Sequence, residues 1–383
     1  MDFDLSPELQ QLADAIARWT EKDYSFEKRK AIIHSSEGVS DTAWQALAEL
    51  GVLALPVPSD HDGFDGTAID QMVVMQALGR ALVVEPVFAT ALGTQFLKLA
   101  GAHGELLAQV ASGELKLACA LNERQSRHEL QNIATTAKRD GDGYVINGEK
   151  VSVLHGAQAG CLIVSARSSG AQQNEQRDEQ GISLFVIPAG ATGIECRDIR
   201  SNDGMRVATL KLTNVRVPAN ALLGSEGQGW NMLDAAADHG IALLCAEALG
   251  AMEALQAATL DYIRTRQQFG VPIGKFQVLQ HRMADMFMQL EQARSMTMLA
   301  AVKVASADAD ERRRVVSAAK ARVGEAMKFV GQQAVQLHGG MGVTDEMPAA
   351  HYFKRLSAIE LTLGDTDHHL ARFVAQPGFA QAA

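Results

Sequence analysis

The sequence predicts an α+β protein of three consecutive regions, the first helical, the second strand-rich, the third helical again with long helices. Three observations predict it. Near the N-terminus apolar residues recur at helical spacing, as in Leu9, Leu12 and Ile16 and again in Trp44, Leu47 and Leu50. In the middle, the runs KLACAL, YVINGEK, CLIVSAR, ISLFVIP and ATLKLTNVRV are rich in β-branched residues and are punctuated by turn signals such as RDGDG. Beyond them, helical patterns run past about 25 residues, the length expected of a long-helix bundle.

The elements follow in order. Residues 1–113 are expected to form an N-terminal helical domain, interrupted around 59–70 by SDHDGFDGTAID, whose Gly and Asp residues favour a surface loop. Residues 114–226 are expected to form a central antiparallel β-barrel or sandwich, because the strands are not spaced by helices as βαβ units require. Within it RSSGAQQNEQRDEQG reads as an exposed hairpin loop. Residues 227–383 are expected to form a C-terminal four-helix bundle. Its helices run from Asn231 to Arg266, from Phe276 to about Ala307, from about Glu311 to Leu337 and from Pro348 to Leu363, with HGGMG separating the last two. Gly240 and Gly250 fall inside the first of these, where an isolated glycine need not end a helix.

The composition is that of an ordinary globular chain: 383 residues, 47% hydrophobic and 21% charged. A formal net charge of −10 argues against a nucleic-acid partner, which needs a concentrated basic surface. No run of 18 or more apolar residues and no basic, apolar leader at MDFDLSPELQ are present. Neither a membrane span nor a secretory signal is therefore expected. Cys119, Cys161, Cys196 and Cys245 form no CxxC pair and read as separate thiols in a reducing, cytoplasmic compartment. The 11 His residues form no HExxH pattern, and His368 beside His369 cannot share a metal from adjacent helix positions. No metal site is expected.

Two segments carry a resemblance. RTRQQFGVPIGKFQVLQHRMADM, from Arg264 to Met286, and GQQAVQLHGGMGVTDEMPAAHYFKR, from Gly331 to Arg355, resemble the signature regions of the acyl-CoA dehydrogenase family. The three-region layout and the INGEK strand agree with it, so the resemblance covers essentially the whole chain. FEKRKAI near the start and GDTDHHLARF near the end are similar, more narrowly, to the small subunits of pimeloyl-CoA dehydrogenases and their relatives in dicarboxylate and steroid-ring breakdown. The resemblance implies FAD as cofactor and an acyl-CoA thioester as substrate. A carboxylate takes the α-proton, and hydride leaves the β-carbon for the flavin. It also implies a dimer or tetramer and electron-transfer flavoprotein as acceptor.

In this family a neighbouring chain helps to hold each flavin. The matching residues here are Arg266, Gln268, Phe269, Phe276 and Gln277, with Gln336, Gly339 and Gly340 as the second half of the clamp. A guanidinium offers several fixed donors to phosphate oxygens, and glycines leave room for close approach. Taken singly, Arg266 reads as a helix-end cation and HGG as a helix C-cap.

The departures concern catalysis. The family's usual base, a Glu before Gly-Thr, is matched by ELTLGDTD, where Leu363 precedes Gly364 and Asp365. The other base position used in the family falls on Gly240, after Asp238 and His239. The family's Thr-Glu…Gly-Ser-Asp segment is matched by LNERQSRHEL without its glycines. Its Trp-x-Thr is matched by Ser152, Val153 and Leu154. Asp365 and Asp367 place negative charge where the family has neutral donors. Asp365 is the nearest substitute base, although Gly-Asp-Thr-Asp before HHLARF reads better as a helix N-cap. Glu360 reads as a solvated face residue or surface ion-pair partner.

The functional expectation is therefore the small subunit of a heteromeric FAD-dependent acyl-CoA dehydrogenase, clamping the flavin of a homologous large subunit that holds the base. Two alternatives stand beside it: a self-sufficient homo-oligomer with Asp365 as base, and a flavin-free structural subunit. Few aromatics suit a wide acyl pocket without selecting one acyl group.

Overall fold

The computed structural model describes residues 6–169 and 178–377, so most of the hairpin loop expected at RSSGAQQNEQRDEQG lies outside the described residues. The chain divides into two compact units, one of residues 32–67 and 84–240, the other of 1–31, 68–83 and 241–383.

The first unit is built on a sheet. Its strands are β1 (Leu117–Ala120), β2 (Thr136–Asp140), β3 (Gly143–Leu154), β4 (Cys161–Arg167), β5 (Ile182–Pro188), β6 (Ile194–Arg200), β7 (Arg206–Pro218) and β8 (Leu222–Leu223). The order is β6-β7-β3-β2-β4-β5-β8, with β1 also paired to β4. The sheet is mixed: β4 runs parallel to β1 and, at one point, to β2. The strands still follow one another without intervening helices, and the remaining pairs are antiparallel. β4 and β5 are buried almost throughout, which their continuous apolar runs require. β6 lies at an edge and is largely exposed. Tyr144, Ile146, Leu162, Val164, Phe185 and Leu210 belong to the core. Helices α3 (Asp41–Glu49), α5 (Val87–Ala100) and α6 (Gly104–Ala111) belong to this unit.

The second unit is helical. It holds α1 (Pro7–Asp23), α4 (Ala68–Arg80), α8 (Gln277–Lys303), α9 (Ala309–His338), α10 (Pro348–Leu361) and α11 (Thr366–Val374), and most of α2 (Phe26–His34). α1 starts with Ser6 accepting from Leu9 N and Pro7 in its first turn, a strong start signal. The long α7 (Trp230–Thr265) runs unbroken through Gly240 and Gly250 and passes from one unit into the other. By length and composition α7 is apolar enough to cross a membrane, but 72% of its most apolar window is buried inside the fold.

Packing explains Gly250. A Cβ there would lie 1.9 Å from Gln76 O, and one at Gly79 would lie 2.1 Å from Glu247 O. α4 and α7 therefore touch backbone to backbone. The same face carries a buried two-pronged ion pair, Arg355 Nε to Glu247 Oε1 at 2.6 Å and Nη2 to Oε2 at 2.9 Å, which joins α10 to α7.

Candidate functional site

The Arg266 turn is a tight hairpin. α7 ends at Thr265, and β9 (Gln267–Gln268) folds back on β10 (Val271–Pro272) with Gln268 opposite Val271. The two central residues, Phe269 and Gly270, have φ of 54° and 78°. Two left-handed central residues define the hairpin turn that matches strand twist, and it favours Asn, Asp or Gly. Phenylalanine at the first position is strained by about 1 kcal/mol. Its ring is 90% exposed and meets Phe276 edge-on at 6.0 Å. Arg266, Gln268 and Gln277 are exposed too. Arg266 N donates to Tyr262 O and its carbonyl accepts from Ile273 N, so the backbone is fixed. Its guanidinium has no partner among the described residues.

The second glycine segment lies beside this turn. α9 ends at His338, and Gly339 follows with φ +59°, its N–H on Gln336 O, a helix C-cap. The Tyr262 ring stacks on the His338 ring at 4.4 Å, and Tyr262 Oη donates to His338 O at 3.3 Å. Four residues before Arg266 and one before Gly339, these two aromatics bring the hairpin and the glycines together. A Cβ on Gly339 or Gly340 would meet nothing within 4 Å, so the backbone there is open on its outer side. Gln336 is exposed. All eight sequence-predicted clamp positions thus lie in one unit on its surface.

The turn matching the family's base is tightly constrained. Lys320 on α9 is fully buried, and its Nζ donates to the carbonyls of Ile359 at 2.6 Å, Glu360 at 3.2 Å and Thr362 at 3.0 Å. Burial pushes its ammonium down to about 8. His369 Nε2 donates to Leu363 O at 2.9 Å, and its other nitrogen lies 3.3 Å from Ser317 Oγ. Burial, then the Lys320 charge, holds this imidazole well below its ordinary range, hence neutral. Leu363 sits at φ +55° and Gly364 at +108°. A leucine here offers no group that accepts a proton. Asp365 caps α11, accepting His368 N at 2.8 Å, as its sequence context predicts. Glu360 is an ion-pair partner as expected, meeting Lys328 at 2.8 Å, but it is buried rather than solvated, accepting Thr366 N and Oγ1 at 3.0 and 2.9 Å. Those partners close the turn from a different helix, which local sequence does not reveal. His368 and His369 meet edge-on, both rings lie against Gly364, and His369 makes the hydrogen bond to Leu363 O.

In the sheet unit, Asp238, His239 and Gly240 are buried on α7. Burial, reinforced by Lys98, pushes His239 down to about 4. The segment matching the family's flavin loop is committed internally. Glu123 takes Lys150 Nζ at 2.7 Å, Ala134 N at 2.8 Å and Thr135 N at 3.1 Å. Burial alone would raise this carboxyl; Lys150 and the other donors overturn that and leave it at about 2. Buried Arg167 then ties this loop, through the carbonyls of Gln131 and Ile133, to the β4–β5 connection, through those of Asp178 and Gln180. Ser152 stands at φ +55° beside a bulge where β3 slips against β7. Among the described residues, no three His, Cys, Asp or Glu side chains group as metal ligands.

Three family models cover this chain almost end to end: the acyl-CoA dehydrogenase N-terminal domain over 6–114, the middle domain over 118–215 and the C-terminal domain over 227–376. The chain belongs to the acyl-CoA dehydrogenase family. It is an FAD-dependent oxidoreductase of acyl-CoA thioesters. Acyl-CoA dehydrogenase FadE12 of Mycobacterium tuberculosis is 30% identical over 355 residues, 90% of this chain and 89% of that one. The ChsE4–ChsE5 complex of the same organism is similar at 25% identity with a TM-score of 0.86, covering 97% of both chains. Butyryl-CoA dehydrogenase of Megasphaera elsdenii shares the fold, with a TM-score of 0.88 over 100% of both chains at 24% identity.

Proposed function

We propose that this chain is the small subunit of a heteromeric acyl-CoA dehydrogenase, supplying the clamp for a flavin whose remaining pocket and catalytic base belong to a homologous large subunit. The observation that carries the reading is a contrast. The Arg266 guanidinium is uncommitted beside the open Gly339–Gly340 backbone, whereas Leu363 holds the base position and Glu123 is consumed by Lys150.

The exposed residues fit such a group. Arg266 would pair with the pyrophosphate, since a guanidinium matches phosphate oxygens with fixed donors. Gly339 and Gly340 would let that pyrophosphate approach the backbone, with Gln336 beside it. Gln268, Phe269, Phe276 and Gln277 would line the adenosine, whose flat face suits the exposed phenyl rings. When bound, FAD accepts the hydride. This chain's part is to bind and orient; no group at Leu363 or Gly240 removes a proton.

Val278, Phe287 and Met288 on α8 are also exposed large apolar residues in this unit. Similarity to a structure described as a ChsE4–ChsE5 complex supports assembly with a different chain. A dicarboxylyl or steroid-ring acyl-CoA, electron-transfer flavoprotein as acceptor and a cytoplasmic setting complete the reading. Four free cysteines suit a reducing compartment.

The alternative base, Asp365, already spends one oxygen on the α11 cap, which weakens a self-sufficient enzyme. A visible spectrum of the purified chain, alone and co-purified with a large subunit, tests the reading. Flavin only in the co-purified sample is expected; near one FAD per chain in the isolated protein would overturn it. In the complex, Arg266→Ala should weaken FAD retention about tenfold, and Leu363→Ala should leave turnover within about twofold of the parent. Unchanged flavin content of the large subunit with and without this chain would favour a scaffold.

A further inference from the structure

The motif FEKRKAI is unused so far, yet its arginine is among the most buried cations in the protein. Arg29 on α2 is 1% exposed. Its Nε donates to Leu82 O at 2.7 Å, and its Nη1 lies 3.0 Å from His351 Nδ1 on α10. His351 Nε2 in turn lies 3.0 Å from Asp345 O, in the segment that begins with Gly339 and Gly340.

The chemistry of these partners fixes the imidazole. A backbone carbonyl only accepts, so Nε2 carries the proton and donates to Asp345 O. A guanidinium only donates, so Nδ1 is a lone-pair acceptor for Arg29. One neutral tautomer satisfies both. A second proton on Nδ1 would point at the Arg29 N–H, leaving two donors opposed in a buried site.

The segment is held at its two ends. Its start is set by Tyr262 on His338, and its end by His351 on Asp345, with Lys354 Nζ on Asp345 Oδ1 at 2.6 Å. Between them, Thr344 N and Oγ1 both donate to Met341 O. Asp345 and the two glycines therefore belong to one short segment, linked through the Thr344–Met341 contact.

We propose that His351, held in one tautomer by Arg29, is a positioning residue for the flavin clamp, pinning the Gly339–Asp345 segment when neutral and releasing it when protonated. This rests on the clamp reading above. The charged groups facing His351 are Arg29 from α2, Asp345 from the segment itself and Lys354 one turn along α10. Burial, the largest influence, lowers the imidazole's proton affinity and the Arg29 and Lys354 charges act the same way, while the hydrogen bond to Asp345 O and the Asp345 charge oppose them. The net direction is downward, so protonation and release belong to the acid side of its ordinary range. The Phe26 ring packs edge-on against the imidazole, with centroids 4.9 Å apart.

The test uses the flavin-loaded assembly in which the chain is isolated, with FAD release followed by the fluorescence of freed flavin from pH 8 to pH 5. The flavin-free chain is examined in parallel by hydrogen exchange of the 339–346 amides, corrected for intrinsic rates. In the wild type, FAD release should accelerate about tenfold on acidification, and exchange of the segment should rise with it. His351→Gln keeps an acceptor for Arg29 and a donor for Asp345 but does not titrate, so both acid responses should vanish while neutral behaviour is kept. His351→Leu should show fast exchange at every pH. An acid response unchanged in His351→Gln, or protected exchange in His351→Leu, overturns the assignment. An Arg266→Ala variant that retains FAD like the wild type sinks the clamp reading instead, whatever the exchange shows.

Discussion

Replacing Lys320 with methionine should destabilise the protein by about 2 kcal/mol, and the pH dependence of that loss identifies its origin. The ammonium donates to three carbonyls at the end of α10. Ile359 O keeps a second donor, Thr362 N, so the change chiefly strips Glu360 O and Thr362 O. Hydrogen bonds to a charged donor are worth about 1.5–3 kcal/mol each, giving about 3–6 kcal/mol lost. Against this, methionine relieves the burial that lowers the lysine from 10.5 to about 8. At about 1.4 kcal/mol per tenfold step in proton affinity, that relief is about 3 kcal/mol. The unfolded chain holds the Lys320 proton up to 10.5 while the folded chain gives it up near 8. Between those values the unfolded state binds more protons, so wild-type stability gains with rising pH. Urea denaturation at pH 7, 8 and 9.5 should therefore show the gap between wild type and Lys320→Met widening upward from pH 8. A Met variant of equal or greater stability at pH 7, or a gap that stays flat with pH, would refute the reasoning.

Three further outcomes are expected. Glu247→Leu removes the two-pronged carboxylate from buried Arg355 and should cost about 3 kcal/mol or more by denaturation, with much of it recovered by adding Arg355→Met. Gly250→Leu drives a side chain into Gln76 O and should lower the melting temperature sharply, whereas Gly141→Ala, where a Cβ meets nothing, should cost only the strain of its positive φ. Asp365→Ala should cost about 1 kcal/mol through loss of the α11 cap while Asp365→Asn holds stability; a loss of flavin bleaching by acyl-CoA in Asp365→Asn with stability intact would restore Asp365 as a base.

What the sequence disclosed and what it hid divide along the range of the interactions involved. The continuity of α7 through two glycines, the cap at Asp365 and the α–β–α order all depend on neighbours within a few turns, and each was readable. The parallel pairing of β1 with β4 was not, since Leu117 and Cys161 are distant in sequence, with β2 and β3 between them. Glu360 looked like a surface residue because its partner Lys328 lies on another helix. Lys320, Glu123 with Lys150, and Arg29 with His351 were missed as well. Each is a charge set in apolar or helical surroundings, as in SAAKARVG and YVINGEK. That placement was the available signal, because a charge is buried only where partners satisfy it.

The pattern of satisfaction across these charges bears on the division of labour more than any single substitution. Lys320, Glu123, Lys150, Arg167, Arg29 and Glu360 are all hydrogen-bonded to partners inside their own unit. The Arg266 guanidinium is the contrast, presented on a hairpin whose exposed phenylalanine sits in a strained left-handed conformation. Strain of that kind persists where the surroundings enforce it and concentrates at functional turns. Here the Ile273 N–H on Arg266 O fixes the hairpin backbone, and the Tyr262–His338 stack ties its base to the buried end of α9. Meanwhile the Leu363 turn keeps a positive φ and a full set of carbonyl partners although its side chain is inert. A chain selected to run the reaction unaided would keep a proton acceptor where Lys320 and His369 still hold the backbone for one. A chain selected to hold another subunit's flavin needs only the outward-facing half, and that is the half whose polar groups remain available.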